Sequence, residues 1–344
     1  MPTIRDVARE AGVSIATVSY VLNNSGVVSE PTRQRVLQAV ERLGYRPSVL
    51  AQGLQARESR MIGYSWQPMP PDQFNPILEK FLHGMAEAAA RHGYHVLAFP
   101  STEPSDEITP YYEMVERDRV DGFVLSNTNL DDPRIRYLLD IEFPFVAFGR
   151  SNPEWEFVWV DVDGADGVEQ AVNHLLELGH TRIACLAWPE ESLTGQYRLE
   201  GYRRAMAAAG LEVEAGGIIR TENFYQHAYR AVQPWLTRPP DRRPTAIVAL
   251  SDLMAMGVMN AAADAGLVVG RDLAVVGFDD SPVAGYLRPP LTSLRQPLIE
   301  IGERVVTMLI DLVRGETPSP AHLLLKPRLI VRDSTLLSRR EPKP

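Results

Sequence analysis

The stretch TIRDVAREAGVSIATVSYVLN, residues 3–23, decides how the beginning of the chain folds. Thr3 followed by Asp6 has the pattern of a capping box that starts a helix. Gly12 stands where that helix must end in a left-handed residue, and Ser14 can cap a second helix. The stretch predicts two short helices joined by a tight turn, the arrangement that lays a helix in the major groove of DNA. The alternative is an ordinary helical hairpin inside a larger core.

A third helix is predicted directly after this stretch. Ser29 can cap the segment SEPTRQRVLQAVERLGY, Pro31 lies in its first turn, and Gly44 ends it. Its expected apolar stripe is Val36, Leu37, Val40 and Leu43. Three helices within about 45 residues indicate a helix-turn-helix module with its supporting helix, which we assign to residues 1–46.

The charge of the chain is distributed unevenly. The whole sequence of 344 residues has a net charge of −9, but residues 1–60 contain eight arginines, no lysine and five acidic residues. The first 60 residues therefore carry +3 and the remainder −12. DNA binding needs local positive charge facing the phosphates, so an acidic remainder does not exclude it.

Targeting and redox features are few. The sequence has no apolar run of about 18 residues and no basic-then-apolar pattern at its start, so we expect a cytoplasmic protein without a membrane span. The single cysteine, Cys185, excludes a disulfide within the chain and a multi-cysteine metal site. We expect it to be a buried thiol, and no motif calls for a cofactor.

Residues 47–60 have the composition of a hinge or linker. Pro47 stops the preceding structure, and a helix from Val49 to Gln55 would be barely two turns long with Gly53 inside it. Helices shorter than about 12 residues are marginal in water. We expect a coil that folds only when something orders it, and a plain linker is the alternative.

From Met61 onward, short β-rich runs alternate with helical patterns. Runs such as MIGYSW, GFVLSN and AIVALS are separated by stretches such as LEKFLHGMAEAAARHG. This alternation predicts parallel sheets covered by helices, and about nine strands are too many for one small sheet. We therefore predict two α/β lobes, with the first lobe at about 61–161 and 292–322 and the second at about 162–291 and 323–340.

The residues quoted so far, together with GYRPSVLAQGL, LGHTRIA, RLEGYRRAM, SDLMAMG and VVGFDD, resemble the LacI/GalR family of bacterial transcription regulators. The resemblance runs from Thr3 to about Ser334. It implies an all-α helix-turn-helix headpiece and a two-lobed α/β effector domain like a periplasmic sugar-binding protein. It also implies a homodimer on a pseudo-palindromic operator, controlled by a small-molecule effector, and acting most often as a repressor.

The resemblance also implies which residues touch DNA. Ile15, Ala16 and Tyr20 fall at base-reading positions, and Val27 adds an apolar contact. Leu54 matches a hinge leucine that wedges into the minor groove, with Ala51 beside it. The implied phosphate contacts are Arg5, Thr17, Ser19, Asn23, Ser29 and Thr32.

The effector is expected in the cleft between the lobes, because ligands of open α/β sheets bind at the carboxyl ends of the strands. Arg198 matches the ligand arginine of the family, whereas Arg150 follows a glycine where some members carry an aspartate. Arginines, carboxylates and aromatic rings favour a mono- or oligosaccharide. A nucleobase or a phosphorylated metabolite is the alternative. The candidates are Trp66, Phe74, Asn75, Asn127, Arg150, Asp161, Arg198, Phe224, Ser251, Asp252 and Asp279.

Two other functions are compatible with such lobes. One is an extracytoplasmic solute-binding protein, which the headpiece argues against. The other is a glycosidase using Asp279 and Asp280, but neighbouring residues rarely flank one glycosidic bond from two sides. The sequence has no phosphate-binding loop, no HExxH and no GxSxG motif. We therefore predict a DNA-binding regulator and no enzymatic activity.

Overall fold

The computed structural model describes residues 2–22, 26, 28–45, 58–66, 75–100 and 108–336. The chain divides into two units, residues 1–60 and residues 61–344. Most of the predicted hinge lies outside the described residues, and so do five candidate site residues. These five are Asn23, Val27, Ala51, Leu54 and Phe74.

The first unit contains three helices, α1 (Ile4–Ala11), α2 (Ile15–Leu22) and α3 (Glu30–Leu43). The Thr3 amide donates to the Asp6 carboxylate over 2.9 Å, and Gly12 ends α1 with φ of 65°. The expected place of Leu37 in the apolar stripe is wrong, because its side chain is 48% exposed. It lies one residue beyond Val36, about 100° around the helix. The buried core consists of Val7, Ala8, Ala11, Val18, Val21, Val36 and Ala39.

The second unit alternates strands and helices. Their order is β1 (Met61–Trp66), α4 (Pro76–Arg91), β2 (His95–Pro100), α5 (Thr109–Glu116), β3 (Gly122–Ser126), α6 (Pro133–Asp140), β4 (Phe145–Phe148), β5 (Trp159–Val162), α7 (Gly164–Glu177), β6 (Ile183–Ala187), α8 (Leu193–Ala208), β7 (Ile218–Arg220), α9 (Tyr225–Leu236), β8 (Ala246–Ala249), α10 (Asp252–Asp264), β9 (Ala274–Asp279), β10 (Thr292–Arg295), α11 (Leu298–Val313), β11 (His322–Leu325), β12 (Arg328–Ile330) and α12 (Asp333–Leu336).

The strands form two sheets of six strands each, one per lobe. The strand order is β11-β5-β4-β3-β1-β2 in the first lobe and β12-β10-β9-β8-β6-β7 in the second. Neighbouring strands are parallel except for β10 and β12. Crossovers place helices against such sheets, and the carboxyl ends of the parallel strands in each sheet lie at the same edge. This edge of each lobe is where a ligand site is expected.

The chain passes between the lobes after β5, after β10 and after β11. The lobe bounds expected from the sequence are therefore wrong at two points. β10 pairs with β9, so the second lobe extends to Arg295, and β11 pairs with β5, so the first lobe extends to Leu325. Four-residue strands give no sequence signal for the sheet they join, which explains the error.

Two helices of the second lobe, α7 and α8, approach each other very closely. A Cβ atom at Gly201 would collide with the backbone carbonyl of Ala165, so only glycine fits there. No helix among the described residues is long and apolar enough to cross a membrane.

Candidate DNA-reading surface and effector cleft

Helix α2 divides its side chains between a core and an exposed face. Val18 and Val21 are buried, whereas Ile15 is 46% exposed and Tyr20 is 50% exposed. Ala16 is also exposed. Ile15 and Tyr20 therefore remain outside the core of this small unit, and together with Ala16 they form the exposed side of α2. The sequence placed these three residues on this face, and their contact with DNA stays a prediction.

Polar candidates flank this face. Ser14 Oγ accepts a hydrogen bond from the Thr17 amide over 3.1 Å and lies 2.9 Å from Thr17 Oγ1. Ser29 Oγ donates to Thr32 Oγ1 over 3.0 Å at the start of α3. Ser19 and Thr32 are half-buried, and Arg5 and Ser29 are exposed. Hydroxyl and arginine side chains are among the groups that commonly contact phosphates, and these contacts stay a prediction.

A cleft of about 1050 Å³ lies between the two lobes of the second unit. Its walls are built from the carboxyl ends of strands in both sheets, as the sequence predicted. Nine of the ten described effector candidates line it, and Arg150 does not. The nine are Trp66, Asn75, Asn127, Asp161, Arg198, Phe224, Ser251, Asp252 and Asp279.

Arg198, in the second turn of α8, is the most constrained cation in the cleft. Its guanidinium carbon lies 3.6 Å from the centroid of the Phe278 ring and 4.7 Å from that of Trp188. Nη1 donates to the Leu250 carbonyl over 2.6 Å, and Nη2 lies 3.9 Å from Asp279 Oδ1. Burial lowers the pKa of Arg198 from its ordinary value. Its Nε and the Trp188 Nε1 have no hydrogen-bond partner among the described residues.

Asp279 enters the cleft on a tight turn at the end of β9. The φ angles of Asp279 and Asp280 are 117° and 47°, a backbone strained for non-glycine residues. Gln296 Nε2 donates to Asp279 Oδ1 over 2.7 Å, and burial raises the pKa of Asp279 to about 6. Asp280 is instead held 2.6 Å from both Arg295 Nε and Arg332 Nη2. The two carboxylates therefore do not face one substrate, which argues against the glycosidase alternative.

Asp252, at the start of α10, supports the turn that carries Asp279. Its Oδ2 accepts hydrogen bonds from the amide and the hydroxyl of Ser281, over 2.7 and 2.8 Å. Its Oδ1 accepts from the Ser293 hydroxyl. Burial, followed by the nearby Asp279 charge, raises the pKa of Asp252 to about 7. Because protein donors engage both of its oxygens, the Asp252 side chain holds the turn after β9 in place and has little capacity left to bind a ligand.

Two further candidates are also used as helix caps. Ser251 Oγ accepts from the Met254 amide over 3.1 Å and donates to Asn223 Oδ1 over 2.5 Å. Asn75 Oδ1 accepts from the amides of Ile77 and Leu78, over 3.2 Å each. Each of these side chains therefore has one polar group committed to the fold.

Arg150 is placed differently from the sequence expectation. Its Nε lies 2.7 Å from Asp161 Oδ2, and its guanidinium carbon lies 3.5 Å from the centroid of the Tyr197 ring. Burial raises the pKa of Asp161, while the charge of Arg150 opposes that shift. Arg150 is therefore engaged by a carboxylate and a ring and is not among the residues that line the cleft, and its contact with an effector stays a prediction.

Sequence reasoning missed several lining residues. Tyr197 and Gln196 precede Arg198 on α8, and Gln296 follows β10 at a crossover between the lobes. In the sequence, closeness to Arg198 would have indicated Gln196 and Tyr197, and closeness to a crossover would have indicated Gln296. Strand ends alone also do not identify Glu190, Glu191 and Glu222, which line the second-lobe side of the cleft.

Comparison with known proteins agrees with this architecture. Residues 3–48 match the family described as bacterial regulatory proteins, lacI family, and residues 172–335 match the periplasmic binding protein-like domain. The chain is 34% identical over 334 residues to the HTH-type transcriptional repressor CytR of Escherichia coli K12, covering 97% of this chain and 96% of that protein. It is 35% identical over 337 residues to the transcriptional regulator CelR of Thermobifida fusca, with 97% and 98% coverage.

Solved structures give the same result. A LacI-family regulatory protein from Chloroflexus aggregans is 49% identical, with a TM-score of 0.78 over 80% of this chain and 98% of that one. The lac repressor dimer bound to operator and the anti-inducer ONPF is 27% identical, with a TM-score of 0.82 over 97% and 99%. The CelR–cellobiose complex is 34% identical, with a TM-score of 0.74 over 97% and 100%.

A helix-turn-helix unit joined to a two-lobed effector domain defines a ligand-controlled transcription regulator. The chain belongs to the lacI family of bacterial regulatory proteins. Its membership confirms the predicted family, fold class and regulatory function, and it identifies the chain as a regulator and not an enzyme.

Proposed function

We propose that this regulator acts in the cytoplasm as a homodimeric repressor that reads a pseudo-palindromic operator and is controlled by a neutral carbohydrate. The observation that carries the DNA-binding part is the face of α2, with Ile15 and Tyr20 about half exposed above a buried Val18 and Val21. The lac repressor, which has the same architecture, is a dimer on its operator. A dimer presents two such helices to two half-sites.

The proposed reading face is largely apolar. Ile15 and Ala16 cannot form hydrogen bonds with bases, so they would contact thymine methyl groups, and Tyr20 is the polar reader. Arg5, Thr17, Ser19, Ser29 and Thr32 would hold phosphates. From the family resemblance, we extend this proposal to Asn23, Val27, Ala51 and Leu54.

The charge of the cleft supports a neutral effector. Its described lining contains six carboxylates, those of Asp161, Glu190, Glu191, Glu222, Asp252 and Asp279, and two arginines, Arg134 and Arg198. Arg134 is neutralised by Asp132, with Nη2 and Oδ2 2.7 Å apart in a buried pair. A phosphorylated metabolite would meet the buried Arg198 guanidinium, already within 3.9 Å of Asp279, among several carboxylates, which is an unfavourable site for an anion.

The aromatic and polar composition supports a carbohydrate. Trp66, Trp188 and Phe224 line the cleft together with amides such as Asn127 and Gln296. Rings that stack on a sugar face and side chains that bond hydroxyls are the usual elements of such a site. The relative CelR has been solved with cellobiose, which makes this disaccharide a suitable first probe. A nucleobase is the second candidate, because the rings could also stack on a purine.

The DNA-binding proposal is tested by selecting duplexes from a random-sequence library with the full chain. We expect an enriched pseudo-palindrome whose affinity falls steeply with salt, because cations are released from the phosphates on binding. Tyr20→Ala should weaken binding, whereas Tyr112→Ala, an exposed tyrosine of the second unit, should not. Failure to enrich any sequence, or an affinity independent of salt, would contradict the proposal.

The effector proposal is tested by thermal unfolding in the presence of cellobiose, glucose, glucose 6-phosphate and adenine. A ligand at about 100 times its Kd stabilises the folded state by roughly 2.7 kcal/mol. We expect a neutral sugar to raise Tm, and this rise should disappear in Arg198→Gln. The matched control is Arg204→Gln on the same helix, whose guanidinium is half exposed and pairs with Glu169. A rise with glucose 6-phosphate alone, or with adenine alone, would refute the neutral carbohydrate.

A further inference from the structure

Arg150 extends from the first lobe to the second. It follows β4 by two residues, and its backbone carbonyl accepts a hydrogen bond from Thr128 Oγ1 over 2.8 Å. Its guanidinium carbon lies 3.5 Å above the centroid of the Tyr197 ring, which belongs to α8 of the second lobe. A cation this close to the face of a ring is attracted by the negative potential of that face. The contact therefore joins the two lobes beside the cleft.

Asp161 holds the cation in position for this contact. Asp161 Oδ2 accepts from Arg150 Nε over 2.7 Å, and Asp161 Oδ1 accepts from the Val162 amide over 2.8 Å. Both residues belong to the first lobe, and the Asp161 side chain is only 12% exposed. A guanidinium held at one edge loses little further freedom when a ring approaches its face. The first lobe thus presents a preoriented cation, and the second lobe supplies the ring.

A second polar contact joins the lobes elsewhere. Lys80 Nζ, on α4 of the first lobe, donates to the backbone carbonyl of Asp280 in the second lobe over 3.3 Å. This bond is long and its acceptor is uncharged, so it is a weaker connection than the contact at Tyr197. The three chain segments that cross between the lobes connect them covalently, and the lobes can rotate about these segments.

We propose that Arg150 and Tyr197 form a closing contact that keeps the two lobes together without an effector. The contact itself does not depend on the proposed function. Only its consequence rests on that function, namely that an effector binds between lobes that are already close. Arg150 is a positioning residue that acts on the distance between the lobes. Through this distance it influences effector and DNA affinity, although its guanidinium does not line the cleft. A partly desolvated contact of this type changes the ratio of closed to open lobes by roughly 2- to 30-fold.

The test measures the distance between the lobes in the full chain by double electron–electron resonance, with neither effector nor DNA present. Spin labels at Leu130→Cys and Glu190→Cys lie on opposite lobes at the cleft, where both native side chains are well exposed. The native Cys185 is fully buried and burial raises its thiol pKa to about 12, so it should not react with the label. Excess unlabelled chain keeps one labelled copy in each particle.

Tyr197→Leu should shift the distances to longer values, because it removes the ring. Tyr197→Phe is the matched control and should keep the wild-type distances, because it retains the ring and removes only the hydroxyl. Arg150→Met should open the lobes as Tyr197→Leu does, and the double variant should open them no further. Circular dichroism identifies any variant that does not fold.

Two results would overturn the closing contact. One is a wild-type distance distribution in the folded Tyr197→Leu and Arg150→Met variants. The other is equal opening by Tyr197→Phe, which would assign the effect to the hydroxyl. Because no operator or effector is used, these results are independent of the proposed function. That function would fail separately if the wild-type chain bound no operator.

Discussion

Asp280→Asn should destabilise the second unit strongly. The carboxylate of Asp280 is 4% exposed and accepts hydrogen bonds of 2.6 Å from Arg295 and Arg332. Arg295 is 52% exposed, so water can replace its partner, whereas Arg332 is 21% exposed and would lose a charge partner in a partly buried site. Removing one member of a buried ion pair costs about 3–5 kcal/mol. Because one partner here is half exposed, we expect about 3 kcal/mol, the lower end of that range.

Tryptophan fluorescence during thermal unfolding measures this loss. All five tryptophans lie beyond residue 60, so the signal reports on the second unit alone. A loss of about 3 kcal/mol should lower Tm by roughly 5 °C, because the entropy of unfolding scales with the number of residues and this unit spans residues 61–344. The matched control is Asp140→Asn, whose pair with Arg136 on α6 is more than half exposed on both sides and should contribute under about 0.5 kcal/mol. A Tm change at Asp280 no larger than in this control would refute the reasoning.

Three further results are expected. Gly201→Ala should lower the free energy of unfolding by about 1–3 kcal/mol, because its Cβ would collide with the Ala165 carbonyl and separate α7 from α8. Urea unfolding measures this loss, and an unchanged midpoint would contradict the close contact. Burial raises the pKa of Asp252 to about 7, so between about pH 4 and pH 7 the native state retains a proton that the unfolded state releases. The contribution of Asp252 to the free energy of unfolding therefore falls as pH rises through this window. Asp252→Asn should therefore gain stability relative to wild type across that window, as urea midpoints at both ends would show, and a constant difference would contradict it. Tyr20→Phe should reduce discrimination between operator variants in gel shifts while leaving the salt dependence of binding unchanged, because it removes a base-reading hydroxyl and no phosphate contact; a changed salt slope would place Tyr20 on the backbone instead.

The headpiece and the cleft were predictable from the sequence for different reasons. Caps and helical periodicity are local, so Thr3, Gly12 and Gly44 gave the helix ends directly. The cleft followed from a topological rule that gathers strand ends at one edge, and nine of ten described candidates line it. That rule finds position and not chemical role, and effector binding by these residues stays a prediction.

The placement of Arg150 and of β10 depends on contacts distant along the chain, which the sequence pattern does not contain. Arg150 ends a strand like its neighbours, yet Asp161 and Tyr197 from other elements engage its guanidinium. Similarly, Thr292–Arg295 joins the second sheet through pairing with β9 and β12. A sequence pattern records which residues can pair, and the three-dimensional arrangement decides which of them do.

The repeated crossing of the chain between the lobes has a consequence for biosynthesis. Each sheet receives one strand from the last part of the structure, since β11 completes the first sheet and β12 the second. During translation, neither sheet can acquire its full set of strands until residues 322–330 have left the ribosome. The three-helix unit needs only its first 45 residues and can fold long before. A nascent chain can thus present a complete helix-turn-helix unit before the effector domain has folded.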